Sequence, residues 1–158
     1  MNRITLFLLG LLFLLRANAA FRPLDPELTD FEYPYPVAFF DVKFGSEKLK
    51  MAYMDVGPAK GNGQTVVLLH EKNFAGFYWK RTMEDLIKDG YRVIVPDQVG
   101  FGKSSKPQSM QFTLQLLAQW THDLLKAQNV KTFRLVGHSM GGMLATRFGL
   151  MFPETVEK

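Results

Sequence analysis

The stretch Leu135-Val136-Gly137-His138-Ser139-Met140-Gly141-Gly142-Met143 decides how the rest of the chain is read. Gly-x-Ser-x-Gly falls here between a short β-like run, Thr132-Phe133-Arg134-Leu135-Val136, and a helical run rich in small residues over 140–151. That context describes a strand-to-helix turn tight enough to strain the serine backbone and project its hydroxyl into a site, a nucleophile elbow. Gly137 and Gly141 flank the serine by two residues on each side, where a side chain would collide as strand and helix fold back. Gly142 is expected to let the helix lie close to the sheet. The helix would begin beside Ser139, so its free N–H groups and positive dipole end would face the place where an oxyanion develops. The plainer reading is a Gly-rich turn whose serine only caps the helix.

Outward from this stretch, the pattern alternates. Thr65-Val-Val-Leu-Leu-His70 is continuously apolar, as a strand buried on both faces should be. A helix is predicted over 77–89, with Trp79, Met83, Leu86 and Ile87 on one face, ended by Gly90. Tyr91-Arg-Val-Ile-Val95 reads as a strand stopped by Pro96, followed by a Gly/Ser/Pro loop over 97–107. A second helix, over 113–128, has Thr113 as its cap and Leu117, Trp120, Leu124 and Leu125 on one side. Upstream, residues 37–44 and 49–54 read as two short strands joined by a turn at Gly45-Ser46. Strands separated by helices of this length imply βαβ units and a parallel sheet, which gathers its functional groups at the carboxyl ends of its strands. His70, Asp97 and Ser139 all fall there.

The composition is that of one globular domain: 158 residues, 47% hydrophobic and 22% charged. The net charge is +4. Arg3 and Arg16 supply two of those charges and the other basic residues are scattered among acids, which argues against nucleic acid as a partner. The absence of cysteine excludes disulfides, a thiol nucleophile and thiolate metal sites. No metal cluster, phosphate-cradling loop or dinucleotide fingerprint is visible: Gly100-Phe101-Gly102 lacks the third glycine. The reading therefore calls for no cofactor and no metal.

Residues 1–19 read as a secretory signal. Arg3 gives a positive start, residues 4–15 are apolar apart from Thr5 and Gly10, and Ala17-Asn18-Ala19 offers small residues for cleavage between Ala19 and Ala20. The rival is an uncleaved membrane anchor. Export to the periplasm or medium is the expected location, with contact to a membrane only through this segment. Residues 20–36, with Pro23, Pro26, Pro34 and Pro36, read as an extended lead-in, and residues 37–158 as the catalytic-type domain.

Four runs carry a resemblance: Val-Val-Leu-Leu-His (66–70), Val-Ile-Val-Pro-Asp-Gln-Val-Gly-Phe-Gly-Lys-Ser-Ser-Lys-Pro (93–107), Val-Gly-His-Ser-Met-Gly-Gly-Met (136–143) and Phe-Pro-Glu-Thr-Val (152–156). In this order and spacing the chain resembles the α/β-hydrolase superfamily, in its esterase, lipase and C–C hydrolase branch, over nearly all of residues 37–158. The resemblance implies an α/β fold with a mostly parallel, eight-stranded sheet, helices on both faces and antiparallel first strand pairs. It implies a serine nucleophile, Ser139, with backbone N–H groups of Met140 and Lys72 as the oxyanion hole. The superfamily's epoxide hydrolases and dehalogenases carry Asp at this place, so Ser139 argues against those chemistries. An ester or related carbonyl compound is the implied small-molecule substrate, and acyltransferase or cofactor-free haloperoxidase chemistry would use the same residues.

Two departures stand out. The family commonly reads His-Gly where this chain has His70-Glu71, and a carboxylate beside a developing anion would oppose it. In the family the base and acid follow later strands, whereas residue 158 comes directly after the elbow helix. Of the three histidines, His70 is expected to support the oxyanion loop, His122 to be a surface or packing residue, and His138 to belong to the elbow. None is a good general base, and Asp97 is a weak candidate for the orienting acid. The expectation is the N-terminal part of a longer hydrolase, with the strand after residues 152–154 absent and the Ser139 strand left as an apolar edge. The rival reading is an inactive fragment or binding module lacking the His and acid.

Overall fold

The structure, a computed structural model, describes residues 23–157, so the expected targeting segment over 1–19 lies outside it. Strands β1 (Val37–Phe44) and β2 (Glu47–Val56) form an antiparallel hairpin running from Val37 opposite Met54 to Phe44 opposite Glu47. Strands β3 (Thr65–Leu69), β4 (Arg92–Pro96) and β5 (Arg134–Gly137) are parallel to one another, and β2 joins them through an antiparallel pairing with β4. The sheet order is β1-β2-β4-β3-β5. Helices α1 (Lys80–Lys88), α2 (Leu114–Ala127) and α3 (Met140–Met151) connect or follow the parallel strands. No helix among the described residues is long and apolar enough to cross a membrane.

The strand alternation explains two cores. Val66 and Leu68 of β3 meet Val93 and Val95 of β4, Met54 of β2 and Met83 of α1 on one face. Val67 and Leu69 meet Ile94, Met51 and the helical residues Leu117, Leu124, Leu144 and Phe148 on the other. Both faces of β3 and β4 are therefore covered, which is why these strands read as unbroken apolar runs. Each such side chain contributes about 1.5–3 kcal/mol on burial, so the central strands are the fixed platform from which the connecting loops project.

Two boundaries differ from the sequence reading. The helix expected from Phe77 begins as a 3-10 turn over Gly76–Trp79 and becomes α-helical only at Lys80. The Asp97 carboxylate holds the Gly76 N–H there, so the first turn winds tightly against the strand β4 loop. Pro96 does not stop β4. It pairs opposite Tyr53, and the next N–H, of Asp97, donates to Ala52 O at 2.8 Å, so the ladder passes over the missing donor. As expected, no strand follows residues 152–154 among the described residues, but the chain there makes one bridge. A 3-10 turn over Pro153–Thr155 reverses the chain, and Val156 bridges to Phe133 in parallel sense. Phe133 N–H donates to Thr155 O at 3.1 Å and Glu157 N–H to Phe133 O at 2.9 Å. A single bridge thus lies beside the amino end of β5, while Val136 near its carboxyl end stays exposed.

Candidate active site

Ser139 sits at the junction of β5 and α3 with φ 54° and ψ −116°. A non-glycine residue in this region carries backbone strain, held here by its surroundings. Gly141 N–H donates to His138 O (2.8 Å), Gly142 N–H to Ser139 O (2.9 Å), and His138 N–H to Leu69 O on the neighbouring strand (3.2 Å). The Ser139 side chain is exposed and makes no capping hydrogen bond to α3, so the plain helix-cap reading does not describe it. Bare backbone on both sides makes the turn possible. A Cβ on Gly137 would lie 2.6 Å from Gly142 N, and one on Gly141 would lie 2.8 Å from His70 O and still nearer the Leu69 carbonyl. Gly142, expected to give the close approach, is not the residue that does so: a Cβ there meets nothing nearer than Gly137 O at 3.5 Å.

The turn delivers Ser139 to the carboxyl edge of the sheet. Since β5 pairs with β3 up to Gly137 opposite Leu69, the loop leaving β3 is its immediate neighbour. Met140 heads α3, where no preceding helical turn exists to accept its N–H. Lys72 lies in the adjacent loop, at the turn whose next residue, Asn73, has φ 66°. Both backbone groups expected at an oxyanion hole are thus on the same edge as the serine. Glu71 is not at positive φ, so replacing glycine there has not forced a left-handed backbone. Its side chain does face the site: Glu71 Oε2 is 3.9 Å from His138 Nδ1.

The three histidines are used in three ways. His70 is fully buried, with Nδ1 2.7 Å from Glu71 O and Nε2 accepting from the Gln98 N–H at 2.9 Å. Accepting at Nε2 fixes the proton on Nδ1, so the ring is neutral and ties the loop after β3 to the loop after β4. Burial pushes its imidazole below the ordinary range, partly offset by the Glu71 carbonyl and the Asp97 and Glu71 charges. His122, on α2, stacks on Phe152 with ring centres 4.0 Å apart and also neighbours Phe148; it is a packing residue. His138 is exposed, 3.4 Å from the Tyr78 hydroxyl, which itself accepts from the Glu71 N–H. Tyr78 was not singled out by sequence, because nothing in its position distinguishes it from the apolar face beside it.

Asp97 is a hub rather than a free acid. It is buried; Oδ1 accepts from the Gly76 N–H (2.6 Å), and Oδ2 accepts from the Tyr33 hydroxyl (2.6 Å) and the Lys103 N–H (2.7 Å). Burial, followed by the Asp97 charge, raises the Tyr33 hydroxyl above its ordinary range, so it stays a donor. The carboxylate thereby joins the lead-in, the 3-10 turn before α1 and the loop after β4. Among the described residues no hydrogen bond connects it to a histidine. The Tyr33 contact, spanning 64 positions, has no local signal in the sequence.

Comparison with known proteins agrees with this layout. Residues 65–158, more than half of the chain, match the alpha/beta hydrolase fold family. The solved structure of a probable hydrolytic enzyme from Pseudomonas aeruginosa PAO1 is 50% identical with a TM-score of 0.82, over 85% of this chain and 44% of that one. A 2-hydroxy-6-oxononadienedioate/2-hydroxy-6-oxononatrienedioate hydrolase from Paraburkholderia phymatum is 34% identical over 76% of this chain and 42% of its own length. A haloalkane dehalogenase from Mycolicibacterium paratuberculosis is 28% identical over 79% of this chain. The chain spans less than half the length of these relatives. The sheet order, the strained turn and the extent of the match lead to one conclusion: this chain belongs to the alpha/beta hydrolase family.

Proposed function

We propose that this chain carries the nucleophile half of a serine hydrolase acting on an ester or related carbonyl bond. Ser139 is the nucleophile, and the Met140 and Lys72 N–H groups bind the oxyanion of the tetrahedral intermediate. The observation that carries the reading is the Ser139 backbone at φ 54°, with an exposed hydroxyl and glycines packed against backbone on either side. Strain of this kind is kept where the position of one atom matters more than local comfort. A serine hydroxyl requires a neighbouring base; His70 is engaged at both ring nitrogens, His122 is stacked on Phe152, and His138 lies against Tyr78 and Glu71. The base and its orienting acid then belong to the portion that the relatives have and this match does not span. The relative from Mycolicibacterium is named a dehalogenase; Ser139 is the reason to favour acyl chemistry here. The apolar run over 4–15 supports export, checked by N-terminal sequencing of the exported product.

A second reading, a binding module without catalysis, is favoured by the same engagement of the histidines. A fluorophosphonate probe separates the two. With the base and acid supplied by a chimera carrying the carboxyl-terminal portion of the Pseudomonas aeruginosa PAO1 relative, covalent labelling mapped to Ser139 supports the hydrolase reading; a folded chimera that stays unlabelled supports the other.

A further inference from the structure

One concavity is not lined by Ser139. It is a cleft of about 700 Å³ between the lead-in and the hairpin β1–β2, walled by Phe31, Tyr33, Tyr35 and Phe39 and bearing the ammonium groups of Lys48, Lys50 and Lys103 against one carboxylate, Glu27. The hairpin register explains the polarity. Phe39, Asp41 and Lys43 of β1 share a face with Lys50 and Lys48 of β2, and Lys43 stands directly opposite Lys48. Like charges directly opposed across strands repel. Asp41 is opposite Lys50, yet none of the ion pairs among the described residues involves Lys43, Lys48 or Lys50.

Lys103 is held differently. Its Nζ donates to Leu28 O (2.5 Å) and Thr29 O (3.1 Å) and lies 5.2 Å from the centre of the Tyr33 ring. It is a positioned cation fastened to one wall, while Lys50 stands 6.0 Å over the exposed Phe39 ring on the other. The Tyr33–Asp97 bond fixes the lead-in, so the cleft is held open. A volume of this size admits a small ligand. Aromatic walls with an excess of ammonium groups suit a flat apolar body carrying an anionic group, which would relieve the Lys43–Lys48 opposition.

We propose that this cleft is a binding site for an aromatic anion, an aryl phosphate or aryl carboxylate, separate from the Ser139 edge. Calorimetric titration of the full chain with phenyl phosphate, inorganic phosphate and benzyl alcohol tests it. Saturable one-to-one binding of phenyl phosphate is expected, with weaker binding of inorganic phosphate and none of benzyl alcohol. The K48Q/K50Q variant should weaken phenyl phosphate about tenfold, since two surface charge contacts together amount to roughly one decade of affinity. The F39A variant should weaken phenyl phosphate while leaving inorganic phosphate unchanged. Absence of saturable binding, or equal affinity in K48Q/K50Q, overturns the proposal and leaves the lysines as the solvated face of the hairpin. Capture of phosphatidylglycerol vesicles without phenyl phosphate binding overturns it in favour of a lipid surface.

Discussion

Two adjacent glycines of the elbow should respond in opposite directions to the same added methyl group. In Gly141→Ala the new Cβ would fall 2.7 Å from the Leu69 carbonyl carbon and 2.8 Å from His70 O. The obstacle is backbone at the end of a central strand, and it cannot rotate away as a side chain would. Moving it pulls β3 from β5, where the His138 N–H to Leu69 O bond closes the edge. Overpacking in cores costs about 1–3 kcal/mol, and a rigid backbone on the receiving side places this variant at about 3 kcal/mol or more. Gly142→Ala meets only an ordinary contact at 3.5 Å and replaces a helical glycine, a change worth up to about 1 kcal/mol in favour of the fold. The two variants should therefore differ by about 4 kcal/mol, a large share of the 5–15 kcal/mol that holds a typical domain. Urea unfolding, read as midpoint at constant slope, measures this directly. Equal destabilisation by both, or tolerance of Gly141→Ala within about 0.5 kcal/mol, would refute the close-approach geometry assigned to the turn.

Other outcomes follow from the loops behind the serine. Asp97→Asn places an amide N–H₂ among three donors and should destabilise by about 2–4 kcal/mol in the same urea assay. Tyr33→Phe removes only one of those donors and should cost about 1–2 kcal/mol, with faster proteolytic cutting in residues 23–36 as the local sign of a released lead-in. His70 gives a pH dependence whose sign is fixed by burial. Its folded-state value lies below the ordinary 6.5, so the unfolded chain binds the extra proton first. The stability that neutral His70 provides is present above pH 6.5 and is lost as pH falls toward its folded value; His70→Gln should flatten that part of the stability profile.

Sequence legibility followed the physics of each element. Strands β3 and β4 were plain because burial on both faces demands unbroken apolar runs, and Ser139 was plain because its turn demands glycine at fixed spacing. The register of the β1–β2 hairpin, its long second strand and its exposed lysine face needed the partner strand. Asp97 was placed correctly at a strand end, but its role was hidden, because Tyr33 and Gly76 reach it from distant positions. The Phe133–Val156 bridge was missed because Pro153 reads as a stop, whereas here it opens a 3-10 turn that brings Val156 back beside β5. Gly142 shows the limit of composition: two neighbouring glycines look alike in sequence, and only the Leu69 and His70 carbonyls distinguish them.

The nucleophile assignment is most directly tested in a chimera. This chain, continued by the carboxyl-terminal portion of the Pseudomonas aeruginosa PAO1 relative, would be exposed to a fluorophosphonate and mapped by tandem mass spectrometry. Stoichiometric modification of Ser139, abolished in Ser139→Ala with the fold retained, is the expected result. Modification at another serine, or equal labelling of the Ser139→Ala chimera, would contradict the assignment of Ser139 as the nucleophile.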